Sequence, residues 1–366
     1  MSRHPELGSV IQFDPTKVRF QRQFLDRIRA TVPAAKDLAD LASLHTVANV
    51  ATISQVYDSL YAFVRTPEFL ADYKYLIDSA IAPHFDAPFR FQRVPGIRIQ
   101  TPESRTVQYH SDHWYGHGPD VLNFWMPITR SFATNALQLA TLEDSEREIA
   151  HIIAHKLRQP ESDERLKAMS KPVELDYGSV KVFNARTAHG TVGNTTGKTR
   201  ISIDFRILME GTDSGSKDPR VYYTSGVEDA PTGTSSDPSA VARAFAYIFP
   251  KHGFSRFLPA ASQRAVVQAY AKANGMQIVS EETEIFPMSH HPTLLNLAAG
   301  KGAEVVPNVV LFSVLCLPED PAIRAEIYDI AKASGTSLFF ANENLAFPAQ
   351  NATAEIEAAY ARLRAA

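Results

Sequence analysis

From residue 15 to residue 82 the apolar positions keep a helical rhythm. Between Ile53 and Val64 they fall at 53, 56, 57, 60, 61, 63 and 64, and Pro67 opens a second stripe through Phe69, Leu70, Tyr73, Leu76 and Ile77. Such stripes predict helices laid against the outside of a β core, in preference to a substrate lid or a dimer face. From Phe89 to Leu208 the pattern becomes strand-like, interrupted by a helical stretch from Leu142 to Leu157 with charges at both ends. Ser179–Asn184 reads as a strand. After the turn-forming run 190–197, Arg200 to Leu208 alternates strictly, with polar residues at 200, 202, 204 and 206 and apolar residues at 201, 203, 205 and 207. That is a strand with one dry face and one face lining a polar site.

The rhythm changes again past two Gly-, Ser-, Thr- and Pro-rich stretches, 211–216 and 230–238. The boundary is placed near 235, giving domains 1–235 and 236–366. In the second, strands at 244–249, 277–286, 309–315 and 337–341 alternate with helices at 261–274, 293–299, 322–334 and 352–364. This order predicts a small three-layer α/β domain with a mainly parallel sheet.

At 366 residues the chain is long enough for two cores. Its net charge of −3 exerts no global pull on nucleic acid or an anionic membrane, so neither is expected as a partner. The single cysteine, Cys316, lies in an apolar run, where a small core residue is expected and a nucleophile is not. One cysteine allows no intrachain disulfide, and with no signal-like or membrane-spanning apolar run the expected location is the cytoplasm. A homodimer is compatible with all of this.

The chemistry concentrates at His110-Ser111-Asp112 and His189. On an extended segment positions i and i+2 share a face, so His110 and Asp112 would reach one ion, with His189 as third ligand. Two histidines and one carboxylate form the facial set that holds non-heme Fe(II) with open positions. The segment Thr106–His110 is expected to be a strand. Arg200 follows His189 at a distance suited to anchoring the far carboxylate of 2-oxoglutarate, with Ser202 one pleat along. Arg206 is the alternative anchor, and an ion pair with Asp204 is the purely structural role for Arg200. Asn123 alternates with Trp125 on another strand and is assigned to the co-substrate or to core hydrogen bonding. His151 and His155 have a zinc-compatible spacing but lack a third ligand, and His290-His291 before Pro292 reads as a turn.

The segment Gln108-Tyr109-His110-Ser111-Asp112-His113-Trp114-Tyr115-Gly116-His117, the run Leu122–Thr129, and Ala188-His189-Gly190 with Arg200-Ile201-Ser202 resemble the phytanoyl-CoA dioxygenase-like Fe(II)/2-oxoglutarate oxygenases. More narrowly, they resemble the oxygenases of sporadic bacterial carbohydrate-biosynthesis clusters. The resemblance implies a double-stranded β-helix (jelly roll) with its core at about 89–210, and Fe(II), 2-oxoglutarate and O2 as cofactor and co-substrates. It also implies oxidation of a carbohydrate-type or small polar metabolite, 2-oxoglutarate being decarboxylated to succinate. An amino acid or natural-product intermediate is the alternative substrate. A non-catalytic metal-containing binding protein is the alternative from another class. In related halogenases the carboxylate ligand is vacated, so Asp112 favours oxygenation. Gln108, Trp114, Tyr115 and His117 are the candidate substrate contacts.

The second domain resembles small proteins of the same clusters in Tyr247–Pro250, Gln263-Arg264, Leu317–Asp320 and Phe340–Asn344, which suggests substrate or partner recognition. It is also faintly like the catalytic domain of serine recombinases. It lacks that family's Arg-x-Ser-Thr pattern, so recombinase chemistry is not expected.

Overall fold

A computed structural model describes residues 4–155, 157, 159–215, 217, 219, 222–225, 242–249, 260–284, 291–300, 306–349 and 352–365. The chain divides into two compact units. The first is Met1–His113, His117–Gly215 and Tyr223–Ala230, and the second is Trp114–Gly116, Ser216–Tyr222 and Pro231–Ala366. The expected boundary at 235 lies outside the described residues.

The strands of the first unit are β1 (Val10–Gln12), β2 (Phe89–Gln92), β3 (Gly96–Gln100), β4 (Leu122–Pro127), β5 (Leu137–Leu139), β6 (Lys171–Val173), β7 (Ser179–Asn184), β8 (His189–Gly190), β9 (Arg200–Met209) and β10 (Tyr223–Thr224). A large antiparallel sheet runs β1-β7-β4-β9-β2-β10, with β3 also paired to β9, and a small antiparallel sheet runs β6-β5-β8. β1 and β10 extend the large sheet beyond the expected core of 89–210. Two- and three-residue strands carry too few positions for alternation to register, so the sequence pattern missed them. Trp125, Phe183, Leu137 and Val173, drawn from both sheets, form one buried apolar cluster.

The alternation in β9 holds, but both faces are buried. Its apolar face meets α3 (Pro67–Leu76), against which α1 (Phe20–Thr31) packs, and α2 (Val50–Phe63) packs on α1 in turn. Phe205 stacks on Phe124 and meets Tyr73 edge-on at 5.4 Å, and Phe69 joins Tyr73 to Phe20. Asn49 caps α2, and Thr66 caps α3 ahead of Pro67 at its first position. Tyr57 and Tyr61, one turn apart on α2, accept the backbone N–H groups of Ile99 and Ile97. The free edge of β3 is thereby closed by a helix. This agrees with the helices as packing for the β core.

Thr106–His110 is not a strand. Thr191 Oγ1 accepts the N–H groups of Thr106 and Val107, and Asp163 accepts that of Tyr109. These side chains take the donors a ladder would use. Only His110 bridges, to His189. The predicted helix at 142–157 is α4 (Leu142–His155), followed by α5 (Gln159–Met169).

In the second unit β11 (Ala242–Ile248), β12 (Met276–Thr283), β13 (Asn308–Leu311) and β14 (Ser337–Phe340) pair in parallel, in the order β12-β11-β13-β14. β15 (Leu345–Phe347) adds an antiparallel edge, so the sheet is mixed. Helices α6 (Ala260–Ala273), α7 (Pro292–Ala298), α8 (Pro321–Ser334) and α9 (Ala352–Ala365) alternate with these strands as expected. β13 is shorter than predicted. Ser313 accepts the N–H of Leu315 through its hydroxyl and starts a 3-10 turn, Val314–Cys316, where the strand reading continued. Cys316 is fully buried, with burial pushing its thiol up to about 12, as befits a core residue.

Candidate metal centre

His110 and His189 face each other as an antiparallel pair that exchanges both backbone hydrogen bonds, each at 2.9 Å. Their rings lie 4.3 Å apart between centroids. Each Nδ1 sits against a backbone carbonyl two residues upstream, His110 on Gln108 O at 2.8 Å and His189 on Thr187 O at 2.9 Å. A carbonyl only accepts, so each Nδ1 carries the proton and each Nε2 presents its lone pair. Both Nε2 atoms converge on Asp112 Oδ1, at 3.3 Å from His110 and 3.5 Å from His189. The three ligand atoms lie within 4.8 Å of one another, and this is the sole group of its kind among the described residues.

Asp112 is not on a strand. It opens a 3-10 turn, Asp112–Tyr115, that is pinned by Ser111 Oγ and His113 N, both donating to Ala185 O at 3.0 Å. Its Oδ2 accepts from Asn123 Nδ2 at 2.9 Å and from Arg206 Nη2 at 2.6 Å and Nε at 3.1 Å. Burial pushes the Asp112 carboxyl up, the Arg206 guanidinium opposes this as the strongest influence in the other direction, and the group is held well below the ordinary carboxylate range. Burial and the neighbouring His189 ring pull His110 down, keeping it neutral. Two imidazole Nε2 atoms and one carboxylate oxygen, with both Nδ1 atoms and the other carboxylate oxygen already bonded to protein, are the donor set Fe(II) takes.

Gly190 lets the histidine pair close. A Cβ there would stand 2.9 Å from the Tyr109 backbone, next to His110.

Arg200 is 1% exposed on β9. Its Nε donates to Asn135 O at 3.0 Å, Nη1 to Ser202 Oγ at 2.8 Å and Nη2 to Gln100 Oε1 at 2.8 Å. Gln100 is itself oriented by donating to Ser104 O and Val192 O. No carboxylate lies among these partners, and burial pulls the guanidinium down to about 10. A buried arginine without a counterion fits a co-substrate that brings its own carboxylate. The alternative ion pair with Asp204 is not made. Asp204 bonds Arg206 and lies 3.7 Å from Arg98. Arg206, spent on Asp112 and Asp204, is not the alternative anchor either.

Asn123 stands opposite Arg206 in register, and both meet Asp112. Its Oδ1 is buried without a partner, as is Gln108 Oε1. His117 is buried in a bridge to Gly215, with its carbonyl against the His113 ring. Trp114 is half-buried and, with Tyr115, is grouped in the second unit. The Tyr115 side chain lies outside the described residues. The sequence reading passed over Gln100, Arg98 and the clamp formed by Arg206. Their signal was present only as polar residues on inward positions of strands. His151 and His155 are stacked and only part-buried or exposed, with no third ligand grouped with them. His291 lies tilted against Phe249, 4.5 Å between ring centroids, ahead of α7, while His290 lies outside the described residues.

Residues 11–202, more than half of the chain, match the phytanoyl-CoA dioxygenase (PhyH) family. The chain belongs to this family. Its PhyH region is therefore an Fe(II)/2-oxoglutarate-dependent oxygenase unit, and Fe(II), 2-oxoglutarate and O2 are the cofactor and co-substrates. A relative, the streptomycin biosynthesis protein StrG of Streptomyces griseus, is 31% identical over 138 residues, which are 37% of this chain and 54% of the relative. The chain thus spans about half the length of that protein. Similar solved structures include the nickel complex of the non-heme monooxygenase ThoJ (13% identity, 58% of this chain and 78% of that one, TM-score 0.31). Others are the non-heme alpha ketoglutarate dependent epimerase SnoN from nogalamycin biosynthesis (16% identity, 63% and 86%, TM-score 0.31) and the N-terminal catalytic domain of TP901-1 integrase (17% identity, 33% and 94%, TM-score 0.25). The assignment rests on the family match and the ligand geometry. No described helix is long and apolar enough to cross a membrane.

Proposed function

We propose that the protein oxidises a carbohydrate-type or other small polar metabolite, with His110, Asp112 and His189 holding Fe(II) and Arg200 with Ser202 binding the distal carboxylate of 2-oxoglutarate. The observation that carries this is the pairing of a complete ligand triad with a buried arginine that lacks a counterion on the same side of the β core. When bound, Fe(II) with 2-oxoglutarate and O2 supplies the oxidising equivalent, leaving succinate and CO2. The chain's own residues orient the ligands. Gln108 O and Thr187 O set the two rings, and Arg206 with Asn123 leaves a single Asp112 oxygen for the metal.

We read the two sheets of the first unit as a double-stranded β-helix and the second unit as a three-layer α/β domain for substrate or partner recognition. Gln108, Trp114 and His117 are the proposed substrate contacts. A second reading, oxidation of a natural-product intermediate, is favoured by the relative named for streptomycin biosynthesis.

Aerobic incubation of the Fe(II)-loaded chain with 2-oxoglutarate and a panel of sugars and antibiotic precursors tests the proposal. Succinate release should rise with the true substrate, and Arg200→Ala should raise the 2-oxoglutarate requirement about 100-fold or more. No decarboxylation with any compound, together with a His189→Ala variant of unchanged metal content, would refute it.

A further inference from the structure

Arg98 stands directly opposite Ser202 across the β3–β9 pair, so it shares the inner face with Arg200, Asp204 and Arg206. Its side chain is 13% exposed. A guanidinium has five N–H donors. Here Nη1 donates to the adjacent Ile97 carbonyl at 3.1 Å, and Nη2 stands 3.7 Å from Asp204 Oδ1, beyond hydrogen-bond reach. Asp204 turns its other oxygen to Arg206, and its Oδ1 accepts no hydrogen bond. Opposite Asp204 the strand carries Gly96, where a Cβ would stand 2.8 Å from that Oδ1. The result is a nearly buried arginine with most of its donors unspent, beside a position kept free of any side chain.

Charge points the same way. The network contains three guanidinium groups, Arg98, Arg200 and Arg206, and two carboxylates, Asp112 and Asp204, which leaves one positive charge. Fe(II) and doubly ionised 2-oxoglutarate cancel each other, so the loaded site keeps that charge. A lone buried charge is costly unless a counterion joins it.

We propose that Arg98 anchors a negatively charged group of the substrate, a carboxylate or phosphoryl group on a carbohydrate-type molecule. Its planar fork suits two oxygens of either group. The inference rests on the oxygenase reading above and narrows its substrate to an anion.

The test is calorimetric titration of the full chain, loaded with Ni(II) and 2-oxoglutarate, with glucose, glucuronate and glucose 6-phosphate. At least one anionic sugar should bind about tenfold or more tightly than glucose. Arg98→Gln should erase that margin while Ni(II) and 2-oxoglutarate affinities stay within about twofold, and Arg98→Lys should keep part of it. The glucuronate arm reports a carboxylate site and the glucose 6-phosphate arm a phosphoryl site. The proposal is overturned if neither anion outbinds glucose, if the margin survives in Arg98→Gln, or if the anion displaces 2-oxoglutarate and so belongs to Arg200. Should Arg98→Gln not fold, an undiminished margin in Arg98→Lys overturns it and a reduced one supports it. Failure of the oxygenase reading would register separately, as loss of 2-oxoglutarate binding to the Ni(II)-loaded chain.

Discussion

Each unit buries a carboxyl group, and the two are driven in opposite directions. Asp112 is 3% exposed in the first unit and Glu284 is 3% exposed in the second. Burial raises both. At Asp112 the Arg206 guanidinium opposes burial, and the group is held well below the ordinary carboxylate range. Glu284 accepts from the Tyr247 hydroxyl at 3.0 Å and from the N–H groups of Thr293 at 3.1 Å and Leu294 at 3.3 Å. Those donors are all neutral, and burial pushes Glu284 up to about 7. The Arg206 guanidinium, which has no counterpart among the donors to Glu284, separates a metal ligand from a carboxyl group that ties down the start of α7.

The contrast can be broken most severely at the ligand itself. Asp112→Ala should lower metal affinity by more than about 100-fold, since losing even a supporting partner costs 10–100-fold. Metal content after dialysis measures this. Arg206→Met should then cost about 10–100-fold in metal affinity and about 3–5 kcal/mol in stability, because buried Asp112 loses its cation and Asp204 keeps only the more distant Arg98. Metal titration and urea unfolding of the same protein would separate the two effects. An unchanged affinity would show that Asp112 needs no clamp.

At Glu284 the sign reverses. Its folded pKa lies above the unfolded value, so its contribution is fully present below about pH 4.5 and is lost as pH rises to about 7. The loss should be about 3 kcal/mol, and Glu284→Gln should abolish this dependence. Urea midpoints at pH 4.5 and pH 8 for the wild type and the variant test it. Equal pH dependence in both would place the titration elsewhere. The smallest effect is expected from Gly190→Ala, where the added methyl presses on Tyr109 and should cost about 1–3 kcal/mol. Metal affinity should fall with it if the histidine pair depends on that close approach.

Long, periodic segments were legible in the sequence. α2, α3, β7, β9 and the alternating strands and helices of the second unit stand where the spacing put them, because face burial imposes a period on any element several residues long. Short strands were not legible, and neither was the Thr106–His110 loop. There β-favouring residues are held by the Thr191 and Asp163 side chains, distant in sequence, in place of a neighbouring strand. At the site, residue types and order picked out His110, Asp112 and His189, which the fold brings together. The partners of Asp112 were not legible, since Arg206 and Asn123 reach its carboxylate from strands distant in sequence.

The sequence by itself determined the ligand chemistry, the inward face of β9 and the alternation of elements in the second unit, since these follow from side-chain type and period. Tertiary structure alone decided which charge answers which. The antiparallel bridge sets His110 against His189, the pairing of β4 with β9 brings Asn123 and Arg206 to Asp112, and the pairing of β3 with β9 sets Arg98 3.7 Å from Asp204. Buried ionic interactions depend on distance and register across strands far apart in the chain, and period along one strand encodes neither.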